Sequence, residues 1–119
     1  MDAATVERLR RGRLPVTRRI DLHGMTQAEA HGALERFLGD ADRAGRRCVL
    51  VITGRGGWGA GEDGGGRKGV LRRMVPRWLN EPANRGRILA FAEAQPRDGG
   101  AGALYVLLRR RRSANNSDS

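Results

Sequence analysis

The chain has 119 residues and a mass of 13.0 kDa, which is enough for one domain with a single core. Its 23 basic residues outnumber 13 acidic ones, so the formal net charge is +10. No apolar run approaches the roughly 20 residues of a membrane span, and the first residues do not resemble a signal peptide. The single cysteine, Cys48, excludes an intramolecular disulfide and a four-cysteine zinc site. These features predict a cytoplasmic monomer with affinity for polyanions.

The positive charge is concentrated at the two ends of the chain and consists of 22 arginines and one lysine, Lys68. Residues 1–19 hold six arginines and two acids, a net +4, and residues 109–119 hold four arginines and one acid, a net +3. Residues 20–108 carry the remaining +3. We therefore expect a folded domain over residues 18–109, between a poorly ordered basic arm over 1–17 and a disordered basic and polar tail over 110–119. Such arms make salt-sensitive contacts to phosphates or serve only as solubilising segments.

The first half of the domain predicts a strand, a helix and a second strand. Residues 19–23 alternate apolar and polar side chains, which favours a strand that ends at Gly24. Thr26 and Glu29 have the spacing of a capping box, and apolar residues then recur at helical spacing as far as Gly45. Residues 48–52 are five consecutive apolar side chains, typical of a central strand. A strand, helix and strand in this order imply a right-handed parallel crossover.

The second half begins with a glycine-rich loop over residues 53–66 and predicts one helix and two strands. Apolar side chains recur at helical spacing over residues 67–79, where Pro76 should kink or break the helix. Residues 88–92 and 103–108 are apolar and predict the third and fourth strands. The element order is therefore βαβαββ, a small sheet with two main helices.

Polar tetrapeptides follow the first two strands, and they are Asp21-Leu22-His23-Gly24 and Thr53-Gly54-Arg55-Gly56. The carboxyl ends of neighbouring parallel strands form the ligand crevice of an open α/β sheet, so the two stretches should face each other. Asp21 and His23 lie two apart on a strand and leave the same face. The carboxylate can then orient the imidazole as a general acid or base. A hydrogen-bonded structural pair is the alternative interpretation.

The second tetrapeptide has the composition of a phosphate-binding turn. Gly54 and Gly56 allow backbone N–H groups to approach a phosphate closely. Arg55 can bind phosphate bidentately and stabilise negative charge in a transition state. Lys68, at the start of the second helix, would add another cation near the same loop. The stretch from Thr53 can also be no more than a turn between strand and loop.

Other reactive side chains carry weaker signals. Asp21 and His23 could hold a divalent cation such as Mg²⁺, with water and phosphate oxygens filling its other positions. The sequence has no Cys/His cluster of the kind that holds structural zinc. His31 is interpreted as a surface or packing residue of the first helix, and Tyr105 as sheet packing. Cys48 opens an apolar strand and is expected to be an inert core residue.

Three stretches, in this order, resemble the Smr (small MutS-related) domain: the two tetrapeptides and Gly99-Gly100-Ala101-Gly102-Ala103-Leu104-Tyr105-Val106. The resemblance covers about residues 18–109 and is to the stand-alone bacterial form. It implies a two-layer α/β sandwich with a four-stranded mixed sheet, similar to the C-terminal domain of translation initiation factor three. It also implies catalysis by Asp21 and His23, and a nucleic-acid site at the turn that begins with Thr53. Family members often carry lysine where this chain has Arg55.

The resemblance implies an endonuclease that nicks or cleaves phosphodiester bonds of RNA or DNA. In some members of the family the substrate is messenger RNA on stalled or collided ribosomes, so nucleic acid and the ribosome are the implied partners. A second hypothesis is a non-catalytic module that binds nucleic acid or ribosomes through its basic arms. A third is a helper domain that recruits a nuclease through an apolar helix stripe with Met74 and Trp78, although a stripe of this kind is better explained as core.

Overall fold

The computed structural model describes residues 3–54 and 66–110, and the side chains of residues 66–69 are not among those described. A four-stranded sheet organises this part of the chain. The elements in chain order are α1 (Ala3–Arg10), β1 (Arg18–Asp21), α2 (Gln27–Arg43), β2 (Cys48–Ile52), α3 (Gly66–Leu79), α4 (Pro82–Arg85), β3 (Ile88–Glu93) and β4 (Ala103–Leu108). Two short 3-10 turns, Pro96–Asp98 and Gly100–Gly102, connect β3 to β4. The predicted βαβαββ order is confirmed, with α1 added before it and α4 inserted before β3.

The sheet is mixed, as predicted, and its strand order is β1-β2-β4-β3. β1 runs parallel to β2, with Asp21 opposite Ile52, so the two strands end side by side. β4 is antiparallel to both β2 and β3. The turn that precedes β4 therefore lies at the same edge of the sheet as the ends of β1 and β2.

The capping box at the start of α2 is formed as predicted. The Thr26 side chain accepts a hydrogen bond from the Glu29 N–H at 3.1 Å, and the Glu29 carboxylate accepts one from the Thr26 N–H at 3.0 Å. These bonds satisfy N–H groups that a helix start otherwise leaves unpaired, and they fix where α2 begins. At the other end Gly45 has a φ of +74°, which a glycine adopts without strain.

The main core lies between one face of the sheet and the helices α2 and α3. Its fully buried members come from both helices and from alternate strand positions, among them Leu34, Leu38, Val49, Val51, Leu71, Val75 and Val106. α3 continues through Pro76 to Leu79, so of the predicted kink or break the helix does not break. Buried Leu71 and Val75 before the proline and Trp78 after it hold both halves of the helix against the same core, which offsets the hydrogen bond that proline cannot make.

The N-terminal segment is part of the fold, which contradicts the expectation of a poorly ordered arm over residues 1–17. Leu9 of α1 is only 1% exposed and packs with Leu50, Tyr105 and Leu107 on the face of the sheet opposite α2 and α3. The Gln95 side chain also donates a 2.7 Å hydrogen bond to the Arg10 carbonyl. A short helix covers apolar sheet surface that water would otherwise reach, and this burial outweighs the repulsion among its arginines. The predicted tail beyond Arg110 lies outside the described residues.

Candidate active site

The candidate site lies at the edge of the sheet where β1 and β2 end. The Leu22 N–H donates a 2.7 Å hydrogen bond to the Ile52 carbonyl, which extends the parallel pairing by one residue. The Leu22 side chain is fully buried and anchors the chain at this point. Asp21 and His23 on either side of it are exposed, while Thr53 and Gly54 follow β2 directly. The structure thus brings together the described parts of the two tetrapeptides.

Asp21 and His23 form a closed hydrogen-bonded pair. The Asp21 Oδ1 atom accepts a 3.0 Å hydrogen bond from the His23 backbone N–H and lies 2.7 Å from the His23 Nδ1 atom. His23 lies in the turn after β1 and not on the strand, so strand alternation does not place its side chain beside Asp21 as predicted. The hydrogen bond from the His23 backbone to the Asp21 carboxylate brings the two side chains together instead. The His23 side chain is 67% exposed, and the imidazole is therefore accessible to a large substrate.

The charge of Asp21 defines which imidazole nitrogen is available for chemistry. Partial desolvation raises the pKa of Asp21, but the hydrogen bonds from the His23 side chain and backbone, together with coulombic attraction, bring it below the ordinary value. An ionised carboxylate only accepts hydrogen bonds, so we assign the proton of the pair to Nδ1. The other ring nitrogen, Nε2, then carries the lone pair that can accept a proton from a substrate or a water molecule.

Gly54 brings the second tetrapeptide against the pair. Its φ is +140°, in the region that side chains rarely adopt, and a methyl group at this position would lie 3.6 Å from the His23 Cβ atom. A glycine here lets the backbone turn away from β2 immediately beside the histidine. The turn and the imidazole are thus direct neighbours.

Thr53 and Gly54 are held by the turn that precedes β4. The Thr53 side chain is buried and donates a 3.2 Å hydrogen bond to the Gly102 carbonyl. The backbone N–H groups of Thr53 and Gly54 donate to the same carbonyl at 2.8 Å and 3.3 Å. These donors position the turn, so they are not free to bind a phosphate. The other predicted phosphate ligands, Arg55, Gly56 and the side chain of Lys68, lie outside the described residues.

A groove adjoins the pair between the start of α2 and α3. It has a volume of about 500 Å³ and is lined by Gly24, Met25, Thr26 and Gln27 on one side and by Val70, Leu71 and Arg73 on the other. Grooves of this size accommodate small molecules or parts of larger ones. The positive end of the α2 dipole and the exposed Arg73 side chain both favour an anion here. Helical periodicity predicts that Arg73 lies on the polar side of α3. It does not predict that Arg73 lines the groove beside the start of α2, so its contribution to anion binding could not be predicted.

Two other titratable groups are structural. Burial raises the pKa of the Cys48 thiol to about 11, with a further contribution from the Asp98 carboxylate. Burial and a hydrogen bond to Asp98 likewise raise the pKa of Tyr105 above its ordinary value. Thiolate is the reactive form of cysteine, so Cys48 is the inert core residue that the sequence predicted.

The fold and this site define a class of protein: a small α/β domain whose parallel β1–β2 pair ends in an Asp–His turn beside a glycine turn. A model of the Smr domain matches residues 20–109. The chain therefore belongs to the Smr-domain family.

Curated relatives are about one-third identical to this chain over the aligned residues. Ribosome rescue factor SmrB of Yersinia enterocolitica is 33% identical over 108 residues, which cover 91% of this chain and 53% of that protein. The protein of the same name from Vibrio vulnificus is 37% identical over 103 residues, which cover 87% of this chain and 51% of that protein. The chain thus spans about half the length of these relatives.

Two solved structures share the fold. YdaL, a stand-alone small MutS-related protein from Escherichia coli, superposes with a TM-score of 0.75 at 30% identity, over 92% of this chain and 78% of that one. The Smr domain of Thermus thermophilus MutS2 gives a TM-score of 0.62 at 29% identity, over 78% of this chain and 99% of that one. These matches confirm the predicted fold class. In the part of the chain that the structure describes, no helix is long and apolar enough to cross a bilayer.

Proposed function

We propose that this chain is an endonuclease that cleaves phosphodiester bonds of RNA or DNA, with His23 as its general acid or base. The observation that carries the proposal is the 2.7 Å contact between Asp21 Oδ1 and His23 Nδ1, beside a glycine turn at the end of two parallel strands. A structural Asp–His pair has no need to leave its imidazole 67% exposed. A reaction on a phosphate within a polymer requires an exposed catalytic group beside a groove that favours anions, and the His23 imidazole meets this requirement.

In the proposed reaction, His23 Nε2 accepts a proton from the attacking oxygen as that oxygen bonds to phosphorus. The bond from phosphorus to the leaving sugar oxygen breaks, and the leaving oxygen takes up a proton from solvent. The attacking group is a water molecule on either nucleic acid, or the adjacent 2′-hydroxyl on RNA. Asp21 keeps the ring oriented and stabilises the positive charge that develops on it, as a carboxylate partner does for other catalytic histidines. Arg73 and the start of α2 would stabilise charge on the phosphate oxygens.

The names of the curated relatives support a substrate at the ribosome. The curated relatives reported above are named ribosome rescue factors. We propose that this chain acts on RNA at ribosomes, with its domain supplying the cleavage chemistry. The groove beside the pair would take a single-stranded segment, because a splayed nucleotide can enter a cleft that a duplex cannot.

The test compares wild type, His23→Ala and Asp21→Asn on labelled single- and double-stranded RNA and DNA, each with Mg²⁺ or with EDTA. Because general acid–base catalysis typically contributes about 10²- to 10⁴-fold, His23→Ala should lose that much cleavage while retaining most of its binding. Glu93→Gln, which changes an exposed carboxylate on β3, is the matched control for Asp21→Asn. A terminal 2′,3′-cyclic phosphate would identify the 2′-hydroxyl as the nucleophile. Equal cleavage by wild type and His23→Ala would refute the role of His23.

The second candidate function is non-catalytic binding of nucleic acid, and the distribution of arginine supports it. The end of the sheet opposite the Asp21–His23 pair is where β1, β2 and β3 begin and β4 ends. Six arginines flank these strand ends: Arg18, Arg46, Arg47, Arg87, Arg109 and Arg110. A basic surface at this position can bind phosphates without sequence preference. If binding alone is the function, no condition of the cleavage test yields product, and charge removal at this end of the sheet abolishes binding.

A further inference from the structure

A cluster of three potential metal ligands lies where α2 meets the junction of α3 and α4. His31 and Glu35 are four residues apart on α2 and so share one helix face. Glu81, the residue before α4, reaches the same point, and its Oε1 atom lies 2.9 Å from the His31 Nε2 atom. One ligand atom from each of the three residues lies within 4.8 Å of the other two. None of them belongs to the Asp21–His23 pair.

Neighbouring side chains hold these ligands in position. The His31 ring stacks on the Trp78 indole, with ring centroids 4.5 Å apart and an angle of 8° between the planes. Glu35 accepts a 2.7 Å hydrogen bond from the Asn84 side-chain amide, which also donates to the Trp78 carbonyl at 2.7 Å. Metal sites in proteins commonly have their ligands oriented by such stacking and hydrogen bonding.

Asn84 holds the second carboxylate of the cluster in place. It is completely buried, and its amide nitrogen donates a hydrogen bond to the Glu35 carboxylate. A hydrogen bond between His31 and Glu81 accounts for those two residues, but it does not require a second carboxylate held at the same point by a buried amide.

The electrostatics of the cluster also favour a cation. Two carboxylates lie together, and within the described part of the chain neither forms an ion pair with an arginine, although the chain has 22 of them. Side-chain exposure of 39% for His31 and 40% for Glu81 leaves the cluster accessible from solvent. A divalent ion would neutralise the paired carboxylates without a long basic side chain.

We propose that His31, Glu35 and Glu81 bind Zn²⁺. One imidazole and two carboxylates form a nitrogen and oxygen donor set that suits zinc, whereas Mg²⁺ and Ca²⁺ prefer oxygen ligands alone. Ligand atoms about 2.0–2.2 Å from a tetrahedral zinc lie roughly 3.3–3.6 Å from one another, so the His31–Glu81 contact opens slightly and Glu35 closes on the ion. Solvent completes the coordination. Zinc would tie α2 to the start of α4 and stabilise the packing of the two main helices.

The test is titration of the purified chain with ZnCl₂, followed by calorimetry and by the melting temperature, with MgCl₂ as the comparison ion. One zinc per chain and a raised melting temperature are expected. Glu35→Gln and Glu81→Gln keep the size and hydrogen-bonding capacity of the side chains but remove a ligand charge. Since disturbing even an outer-shell partner costs about 10- to 100-fold in metal affinity, each variant should weaken zinc binding at least tenfold.

Matched variants separate this site from other zinc binding. Glu93→Gln removes an exposed carboxylate elsewhere and should bind zinc as wild type does. His23→Ala tests the candidate active site, and zinc affinity should be unchanged in it. Zinc binding that survives both Glu35→Gln and Glu81→Gln, or that disappears in His23→Ala, overturns the proposal, as does the absence of any binding to wild type. Nucleic-acid cleavage is not the readout, so the zinc site and the proposed nuclease can fail independently.

Discussion

Gly54 lies directly against His23, so the glycine turn after β2 forms one wall of the candidate active site. A methyl group on Gly54 would be 3.6 Å from the His23 Cβ atom, an ordinary van der Waals contact, but the φ of +140° is strained for any side chain. Glycine is therefore required at this position by the backbone conformation more than by a lack of space for a side chain. The Thr53 side chain donates a hydrogen bond to the Gly102 carbonyl, just before β4. This bond fixes the position of the glycine turn beside the imidazole.

Gly54→Ala should lower the rate of cleavage by more than the loss of folded protein accounts for. Forcing alanine to a positive φ destabilises a protein by more than about 1 kcal/mol. The chain can relieve this strain by shifting the turn, and His23 then loses its neighbour. We expect a lower rate of cleavage and a lower free energy of unfolding, measured by single-turnover assays and by urea denaturation.

Gly32→Ala is the matched control for this substitution. Gly32 lies inside α2, and a methyl group there would meet only the Arg36 guanidinium at 3.5 Å. Alanine is favoured over glycine in a helix by about 1 kcal/mol, so this variant should be more stable than wild type. If the two variants changed stability in the same direction, the interpretation of Gly54 would be wrong.

Asp21→Asn should lower stability near neutral pH and have little effect in acid. The ordinary carboxyl pKa here is 3.8, and the hydrogen bonds from His23 lower it in the folded protein. A lowered pKa stabilises the folded state above the unfolded value, and this contribution is lost as pH falls through the folded value. The difference in unfolding free energy between wild type and Asp21→Asn should therefore be larger at about pH 7 than at about pH 2.5. Because both side chains are more than half exposed, screening by solvent keeps the difference small.

Urea denaturation at several pH values measures this effect, and Glu93→Gln serves as the comparison. Glu93 is exposed, and the structure shows no side-chain partner for it among the described residues. Its substitution on the surface should change the unfolding free energy by about 0.5 kcal/mol or less. A difference for Asp21→Asn that grows as the solution becomes more acidic would contradict the assigned pKa direction.

Local sequence patterns predicted the elements that are determined by residues close together in the sequence. Residues 48–52 and 103–108 match β2 and β4, because runs of buried side chains identify central strands wherever they pair. The capping box of α2 is likewise visible in four consecutive residues. α1 was missed because only Leu9 among its eight residues is buried, and that burial comes from packing against the sheet and not from a local pattern.

The sequence predicted that the two tetrapeptides lie side by side, but it predicted their contacts only in part. Two tetrapeptides at the ends of parallel strands must lie close together, whereas the contact between Asp21 and His23 is made by the turn after β1 and not by strand alternation. Thr53 was expected beside phosphate, but its hydroxyl faces Gly102, because the strand order places β4 next to β2. The stacking of His31 on Trp78 also depends on distant residues, and no periodicity encodes it.

Leu9→Ala should destabilise the whole domain. The Leu9 side chain is buried between α1 and the sheet, and leucine-to-alanine changes in a core typically cost about 2–5 kcal/mol. Arg8→Ala removes a charge from the same helix without removing core contacts, and exposed substitutions of this kind change stability by about 0.5 kcal/mol or less. Urea denaturation distinguishes the two. If Leu9→Ala and Arg8→Ala were equally stable, Leu9 would not be part of the core, and the N-terminal segment would be a separate arm.

The arginines at the end of the sheet opposite the pair should control how nucleic-acid binding depends on salt. Each phosphate contact contributes about 0.7 (single strand) to 0.9 (duplex) to the slope of log affinity against log salt concentration. Replacing Arg18, Arg46 and Arg109 with glutamine should therefore lower that slope by about two to three if all three contact phosphates.

The control variant replaces Arg8, Arg13 and Arg36, which removes the same charge from other exposed positions. Its slope should stay close to that of wild type, because counterions are released only where phosphates are contacted. Equal slopes for the two triple variants would mean that binding follows net charge alone. A reduced slope with an unchanged rate of bound-substrate cleavage would instead separate the two ends of the sheet, with phosphate binding at one and chemistry by His23 at the other.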